Sequence, residues 1–406
     1  MGTLFKIAWR NIWRNTRRTV ILVLAIGIGL MGIIVTEAFM NGMENNMVQN
    51  IIRSSLGHIQ IYAKGFDENP VVERSMGDSP ELLTILDNHP GIKNYSRRIR
   101  AMGLISNPEH SRGVMIVGIE PSREPHITYI EHSIVDGRYL REGDTGRLIV
   151  GKKLADEFEL ELGSKVVLMA QDLEKDIASG AYRVVGIFRT DSSEFDKATV
   201  FITLPDARKL LSLSEQISKI VIVVNDLRQL VAVAGGLRTK LEFDLMVHTW
   251  EEIEPVLVRI VELYGQFTYI VYLIVFVAMA FGIINTMLMV IFERVREMGV
   301  MMALGIRPIQ IVLLVILETV CIGIVGLCLG NLLGAFFLGI FHNGMDLSFL
   351  AEGMEYWGMS HIIFPSIGLD NLLIANLSTI VTAIIISIYP AIRAARFRPV
   401  EALRHH

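Results

Sequence analysis

Four stretches of this chain contain no Asp, Glu, Lys or Arg, and they decide what it can fold into. They run over 19–36, 263–292, 319–345 and 371–392. A bilayer core about 30 Å thick is crossed by roughly 20 helical residues. Within it, each backbone polar group has to be satisfied inside its own segment. The last three stretches, of 30, 27 and 22 residues, exceed that length, and the first, of 18, reaches it once Glu37 sits at the interface. A cleaved signal peptide would have an apolar run of about 7–15 residues and a small-residue cleavage site. The first stretch is too long for that and has no such site after it. The expected fold class is therefore an α-helical membrane protein with four transmembrane helices. A large mixed α+β extracytoplasmic domain is inserted between helices 1 and 2.

Basic residues set the expected orientation. Lys6, Arg10, Arg14, Arg17 and Arg18 precede the first stretch with no acid among them. Arg294, Arg296 and Arg307 follow the second, and Arg393, Arg396, Arg398 and Arg404 follow the fourth. The loop 342–367 has no Lys or Arg and carries Asp346, Glu352 and Glu355. Both termini are thus expected in the cytoplasm, and the segment between the first two helices outside. The layout is an interfacial helix at 1–17 and a transmembrane helix at 18–41, followed by an extracytoplasmic domain with a stalk at 42–263. Then come a helix at 264–292, a cytoplasmic coupling loop at 293–309 and a helix at 310–341. A short external loop at 342–367, a helix at 368–391 and a cytoplasmic tail at 392–406 complete it. In the first segment Phe5, Trp9, Ile12 and Trp13 share one helical face, with Lys6, Arg10 and Arg14 turned away, which suits the headgroup layer.

Between the first two helices, β-branched or alternating runs read as strands at 58–62, 114–119, 147–150, 165–169, 182–188, 199–202 and 220–224. Helices are expected at 80–88 behind a Ser cap, at 154–158, at 205–213 starting with proline, and at 227–241. Residues 171–181 are polar with a Ser-Gly pair and read as an exposed hairpin or loop. Residues 250–262 read as an acidic amphipathic lead-in to the second helix, and 42–54 as the matching extension of the first.

Catalytic patterns are missing from the sequence. There is no G-x-x-x-x-G-K-[ST], no H-E-x-x-H, no G-x-S-x-G and no C-x-x-C. His126 and His132 flank Glu131 but read as a solvated loop, and His58, His89 and His110 are scattered. Cys321 and Cys328, seven apart, read as packing residues of a membrane helix. A net charge of −4 argues against a nucleic-acid binder. No catalytic residue, metal site or cofactor is expected on this chain, and no function is read into His405 and His406.

The informative residues lie in and beside the apolar stretches. Gly326, Gly330 and Gly334 recur every four residues, the spacing that lets another helix approach closely. Asn285 and Glu318 are intramembrane polar residues, and an intramembrane carboxylate is expensive enough to need a partner. Glu318 is expected to pair with Arg307 or a helix end, or to sit near the interface. In the loop from Glu293 to Pro308 the charges alternate first and an apolar run follows. Gly305 suits a helix end and Pro308 a helix start. A short amphipathic helix there would suit docking into a partner's groove.

The run from Asn285 to Gly305 (NTMLMVIFERVREMGVMMALG) resembles the core motif of the FtsX-like ABC-transporter permeases, a group that includes MacB and LolC/LolE. The closing run from Tyr389 to Arg404 (YPAIRAARFRPVEALR) and the opening run from Ala8 to Asn15 (AWRNIWRN) are similar to that family's ends. LIVGKKLA from Leu148 and YRVVGIF from Tyr182 resemble its external domain. The resemblance is closest to the LolC/LolE type, and it implies a dimer with a second permease copy or paralogue. It also implies a separate ABC ATPase dimer that holds ATP and Mg, since the chain begins directly at the membrane. That ATPase would dock through Glu293, Arg294, Arg296, Glu297, Met298, Gly299, Met302 and Leu304. Lipoprotein or lipid cargo would enter along Ile28, Met31, Val35 and Phe39 of helix 1 and Tyr264, Phe267, Val271 and Ile274 of helix 2. A periplasmic lipoprotein chaperone would receive it. The implied function is ATP-driven release of lipoproteins from the outer leaflet of the inner membrane. The alternatives are MacB-like efflux of drugs or peptides and FtsX-like signalling to a cell-wall hydrolase.

Overall fold

The computed structural model describes residues 2–14, 16–67, 71–241, 244–356 and 359–396, without the side chains of 2–5, 12, 352 and 356. Phe5, Ile12, Arg398, Arg404, His405 and His406 therefore lie wholly or in their side chains outside the described residues. In chain order the helices are α1 (Gly2–Arg14), α2 (Thr16–Ile51), α3 (Pro80–Asp87), α4 (Lys152–Glu157), α5 (Ser193–Ala198), α6 (Leu204–Leu210) and α7 (Leu230–Lys240). They continue with α8 (Trp250–Ile253), α9 (Pro255–Glu293), α10 (Val295–Ala303), α11 (Pro308–Ile340), α12 (Ala351–Tyr356) and α13 (Leu369–Ala395). Among the described residues four segments, Thr16–Leu56, α9, α11 and α13, are long and apolar enough to cross a membrane.

The chain divides into a helical unit (Met1–Glu44, Val261–Asp346, Ile362–His406) and a lobe (Asn45–Ile260, Leu347–His361). In the helical unit the glycines of α11 meet α2. A Cβ added at Gly326 would lie 2.8 Å from Ile26 Cγ2, and one at Gly330 would lie 2.8 Å from the Gly27 carbonyl. A Cβ on Gly334 would come within 3.0 Å of Ile34. Leu22 and Ile26 of α2 share a core with Met279, Ile283 and Met287 of α9. Between α11 and α13, Asn331 and Asn376 exchange amide hydrogen bonds of 2.7 and 3.1 Å, so neither polar side chain is left unsatisfied. Cys321 is buried and Cys328 exposed, so only the first packs as expected.

Among the described residues the main sheet of the lobe has ten strands: β1 (Ile59–Ala63), β2 (Ile92–Ser106), β3 (Ser111–Ile119), β4 (Ile134–Gly137), β5 (Arg147–Gly151), β6 (Lys165–Gln171), β7 (Ile177–Phe188), β8 (Thr199–Thr203), β9 (Lys219–Val224) and β10 (Leu245–Thr249). Their order is β10-β1-β9-β2-β3-β8-β5-β7-β4, and β6 pairs both β2 and β7. The strands β2, β3, β8, β5, β7 and β6 therefore close on themselves, and β9, β1 and β10 extend from β2 as a wing. The first half of β2 pairs with β9 as far as Arg98↔Lys219, and its second half pairs with β3 from Ile99↔Gly118. Ile99, Ala101, Ile116, Ile202 and Ile220 alternate onto one face, where α3, α4, α6 and α7 contribute leucines to the main core. The opposite face has a smaller core around Val117, Ile149, Phe188 and Phe201.

Local chemistry explains the helix starts. Ser79 caps α3 by accepting from the Glu81 N–H, with Pro80 at the first position. Thr203 caps α6 in the same way. Three expectations need correction. Residues 250–262 are not one helix: α8 stops at Ile253, and Pro255, lacking an N–H to donate, starts α9. The turn of the 171–181 hairpin is not at the Ser-Gly pair, which lies inside β7. It falls at 172–176, where Asp172 accepts from the Glu174 and Asp176 N–H groups at 3.0 Å each. The longest strand, β2, and also β4 and β10, escaped the pattern altogether. Within the lobe, Glu355 of the 347–361 segment accepts from Ser193 at 2.8 Å and from Arg189 at 3.3 Å.

Candidate functional site: the loop between the second and third long helices

Helix α10 is made by its ends. Arg294 stands before its first turn with φ −105°, and Gly305 has φ +93°. That left-handed conformation is open to glycine at little cost. The Gly305 N–H donates to the Met302 carbonyl at 3.0 Å and the Ile306 N–H to that of Met301 at 3.1 Å, which closes the helix. Pro308 opens α11, and Gln310 reaches back to the Arg307 N–H at 2.9 Å. Arg307 is thus a helix cap and not the partner of Glu318.

Glu318 is buried and accepts from Arg294 Nη1 at 3.0 Å and from Asn11 Nδ2 at 2.6 Å. Arg294 is buried too, and its Nε donates to Glu297 at 3.1 Å. Glu297 also accepts from Arg14 at 2.5 and 2.7 Å, and Arg18 pairs with Glu293. Burial works against the Glu297 carboxylate, but the Arg14 and Arg294 guanidiniums outweigh it and hold its pKa below the ordinary glutamate value. The chain of contacts therefore runs from α1 through α10 to α11. Breaking a buried pair strands a charge at a cost of about 3–5 kcal/mol, so Arg294 and Glu318 hold α10 in place.

This arrangement sorts the residues expected at a docking surface. Arg294, Met298 and Gly299 are buried and present no surface for a partner, because the seam against α11 consumes them. Met302 is half-buried. Glu293 and Glu297 are exposed but engaged by Arg18 and Arg14. Arg296, Val300 and Leu304 are exposed at four-residue spacing, Leu304 by 80 %. They form one stripe. Asn11, Arg14 and Arg18 belong to this site and were missed. The only signal for them was a run of basic residues before the first apolar stretch, with Asn11 among them.

Along the expected cargo path, Ile28, Phe267 and Ile274 are exposed, and Met31, Val35, Phe39, Tyr264 and Val271 are half-buried. Asn285 is exposed on α9. A cavity of about 120 Å³ includes Tyr264 with Glu37, Glu44 and Tyr272, and the Tyr272 hydroxyl donates to Glu37 at 3.2 Å. The expected apolar path thus ends beside two carboxylates. Among the described residues, no group of three His, Cys, Asp or Glu is placed to hold a metal ion.

Residues 19–240 match the family described as MacB-like periplasmic core domain, and 269–399 the one described as FtsX-like permease C-terminal. Over 94 % of its length the chain is 22 % identical to 92 % of the lipoprotein-releasing system transmembrane protein LolC of Xylella fastidiosa. It is 21 % identical to LolE of the corresponding system of Haemophilus influenzae, with both chains covered in full. It is 25 % identical over 98 % of its length to the pyoverdine export ATP-binding/permease protein PvdT of Pseudomonas syringae, of which it spans 58 %. With the one family spanning more than half of the residues and the other most of the remainder, the chain belongs to the MacB-like and FtsX-like permeases of ABC transporters.

Proposed function

We propose that this chain is the non-catalytic membrane subunit of an inner-membrane complex that releases lipoproteins or similar lipid-anchored cargo from the outer leaflet. It works as a dimer with a second copy or paralogue. A separate ATPase dimer, holding ATP and Mg, supplies the energy. Both termini and α10 face the cytoplasm, and the lobe is periplasmic, where a lipoprotein chaperone takes the cargo. Transferring an acyl chain out of lipid costs about 0.8 kcal/mol per CH₂. Several chains cannot be extracted without an external energy source.

The observation that carries this reading is the α10 stripe. Arg296, Val300 and Leu304 are exposed on a helix anchored through Arg294 to Glu318 of α11. A partner that pushes on such a stripe moves a transmembrane helix, whereas a flexible connector would absorb the push. Near full-length similarity to LolC and LolE supports lipoprotein as the cargo. The match to PvdT favours export of a small molecule as the second reading.

The test has two parts. Purification from native membranes with its ATPase should release a fluorescent lipoprotein from proteoliposomes when ATP is added. Extraction of a siderophore-like solute in its place would establish the second reading. Replacing Arg296, Val300 and Leu304 together by Ser should lower ATPase co-purification about tenfold, the loss expected when a few interface anchors are removed. Undiminished co-purification would remove α10 as the docking element.

A further inference from the structure

The lobe holds a cavity of about 370 Å³ on the sheet face opposite the main core. Its floor crosses adjacent strands: Lys219 on β9, Arg98, Arg100 and Met102 on β2, Met115 and Val117 on β3, and Phe201 on β8. Successive strand residues alternate faces, so the residues that fill the core from β2 leave the arginines pointing the other way.

The cations of this floor are not equally paired. Arg98 is matched with Glu124, which also accepts from Ser96 at 2.8 Å and Thr128 at 3.2 Å. Lys219 is 6 % exposed, and its Nζ donates to Gln60 Oε1, a neutral amide, at 3.0 Å. The Arg100 side chain finds only the Met115 thioether, 3.1 Å from Nε, among the described residues. Neither Lys219 nor Arg100 makes a salt bridge among the described residues. A buried cation without an anion costs several kcal/mol. Burial, reinforced by Arg100 and Arg98, accordingly pulls the Lys219 pKa well below that of an ordinary lysine, against the fields of Glu124 and Asp67. Glu254 is the one carboxylate lining the cavity.

Beside the cations the wall has an apolar part, made by Met102, Met115, Val117 and Phe201, and a polar part, made by Ser54, Ser55, Thr199 and Glu254. The polar part leads to a second cavity of about 300 Å³, which shares Ser54, Ser55, Phe195 and Glu254 with the first. Two cations without a salt bridge, set beside the apolar part, describe a ligand with an anionic head and a hydrocarbon body. A free phosphate would leave the apolar wall unused, and a neutral lipid would leave the cations unmatched.

We propose that the lobe carries a site for a single-chain anionic amphiphile, a fatty-acid carboxylate or a long-chain phosphate monoester, with its head between Arg100 and Lys219 and its chain along Met102, Met115 and Phe201. This site does not depend on which cargo the complex moves.

The test is equilibrium binding of labelled laurate, dodecyl phosphate, dodecanol and inorganic phosphate to the full chain in phosphatidylcholine nanodiscs, corrected for empty nanodiscs. Laurate or dodecyl phosphate should saturate one site per chain, and whichever binds more tightly identifies the head. Dodecanol and inorganic phosphate should each bind at least about tenfold more weakly, as the loss of a charge-assisted contact or of the chain requires. Arg100→Gln and Met102→Trp should each weaken laurate binding about tenfold, the first by removing the charge and the second by filling the cavity. Glu254→Gln should strengthen it, an effect that a merely structural role would not produce. Equal binding of dodecanol and laurate, equal binding of inorganic phosphate and dodecyl phosphate, or native affinity in both weakening variants would each overturn the proposal.

Discussion

Among the described residues each unit of this protein buries one arginine against one glutamate, and the two pairs differ in what surrounds them. In the lobe, Arg98 and Glu124 are enclosed by Ser96, Thr128 and the Ser55 carbonyl, so the charges are satisfied within the fold. In the helical unit, Arg294 and Glu318 are joined through Glu297 to the half-exposed Arg14. The first pair is a closed knot. The second is the buried end of a chain of contacts whose other end reaches solvent beside the α10 stripe. Similar chemistry thus fixes a strand in one place and ties a short helix to a long one in the other.

The largest effect should come from opening the closed knot. Glu124→Ala strands the Arg98 guanidinium and should destabilise the lobe by about 3–5 kcal/mol, read from urea unfolding of the full chain. The double variant Arg98→Met, Glu124→Leu should recover most of that loss, because two apolar groups leave no charge behind. Glu318→Gln should have the next largest effect. Glutamine still accepts from Arg294, so the cost is about 1–3 kcal/mol, and it should appear as faster amide exchange in α10 with the lobe unchanged. If Glu318→Gln costs more than Glu124→Ala, the distinction between the two pairs fails.

The smallest effect concerns a carboxylate buried with no cation in contact. Asp196 accepts from the Thr190 N–H and hydroxyl, yet burial raises its pKa from 3.8 to about 7. The folded lobe therefore holds a proton that the unfolded chain releases. The stability this contributes is complete below about pH 4 and is lost as pH rises through about 7. Asp196→Asn should flatten that part of the lobe's stability profile, measured as the thermal midpoint between pH 4 and 8. An unchanged slope would mean that this carboxylate is charged throughout, and that burial without a cation does not separate it from Glu124.

The same contrast explains what could be read in advance. The four apolar helices, the glycine spacing and the ends of α10 are local patterns, and each was visible in neighbouring residues. Strand β2 was not, because Arg97, Arg98 and Arg100 interrupt its apolar alternation. The charge that buries Arg98 lies 26 positions away. Arg294 was not among the partners that the sequence suggested for Glu318, for a related reason. Arg307 is nearer in sequence, but Gln310 and the start of α11 hold it at a helix cap, while Arg294 comes across the seam from the preceding loop. Arg294 is read as a docking residue from the sequence and is buried in the structure, because sequence spacing cannot tell an arginine that faces solvent from one that faces another helix.

Strand β2 belongs to both the wing and the closed ring, and it changes partner between Arg98 and Ile99. Lys219 lies opposite Arg98 in the first pairing, and Met115 lies opposite Met102 in the second. The two sides of the cavity are therefore supplied by different neighbours of one strand. A molecule lodged between them would touch both neighbours at once, like a mortar joint between two courses.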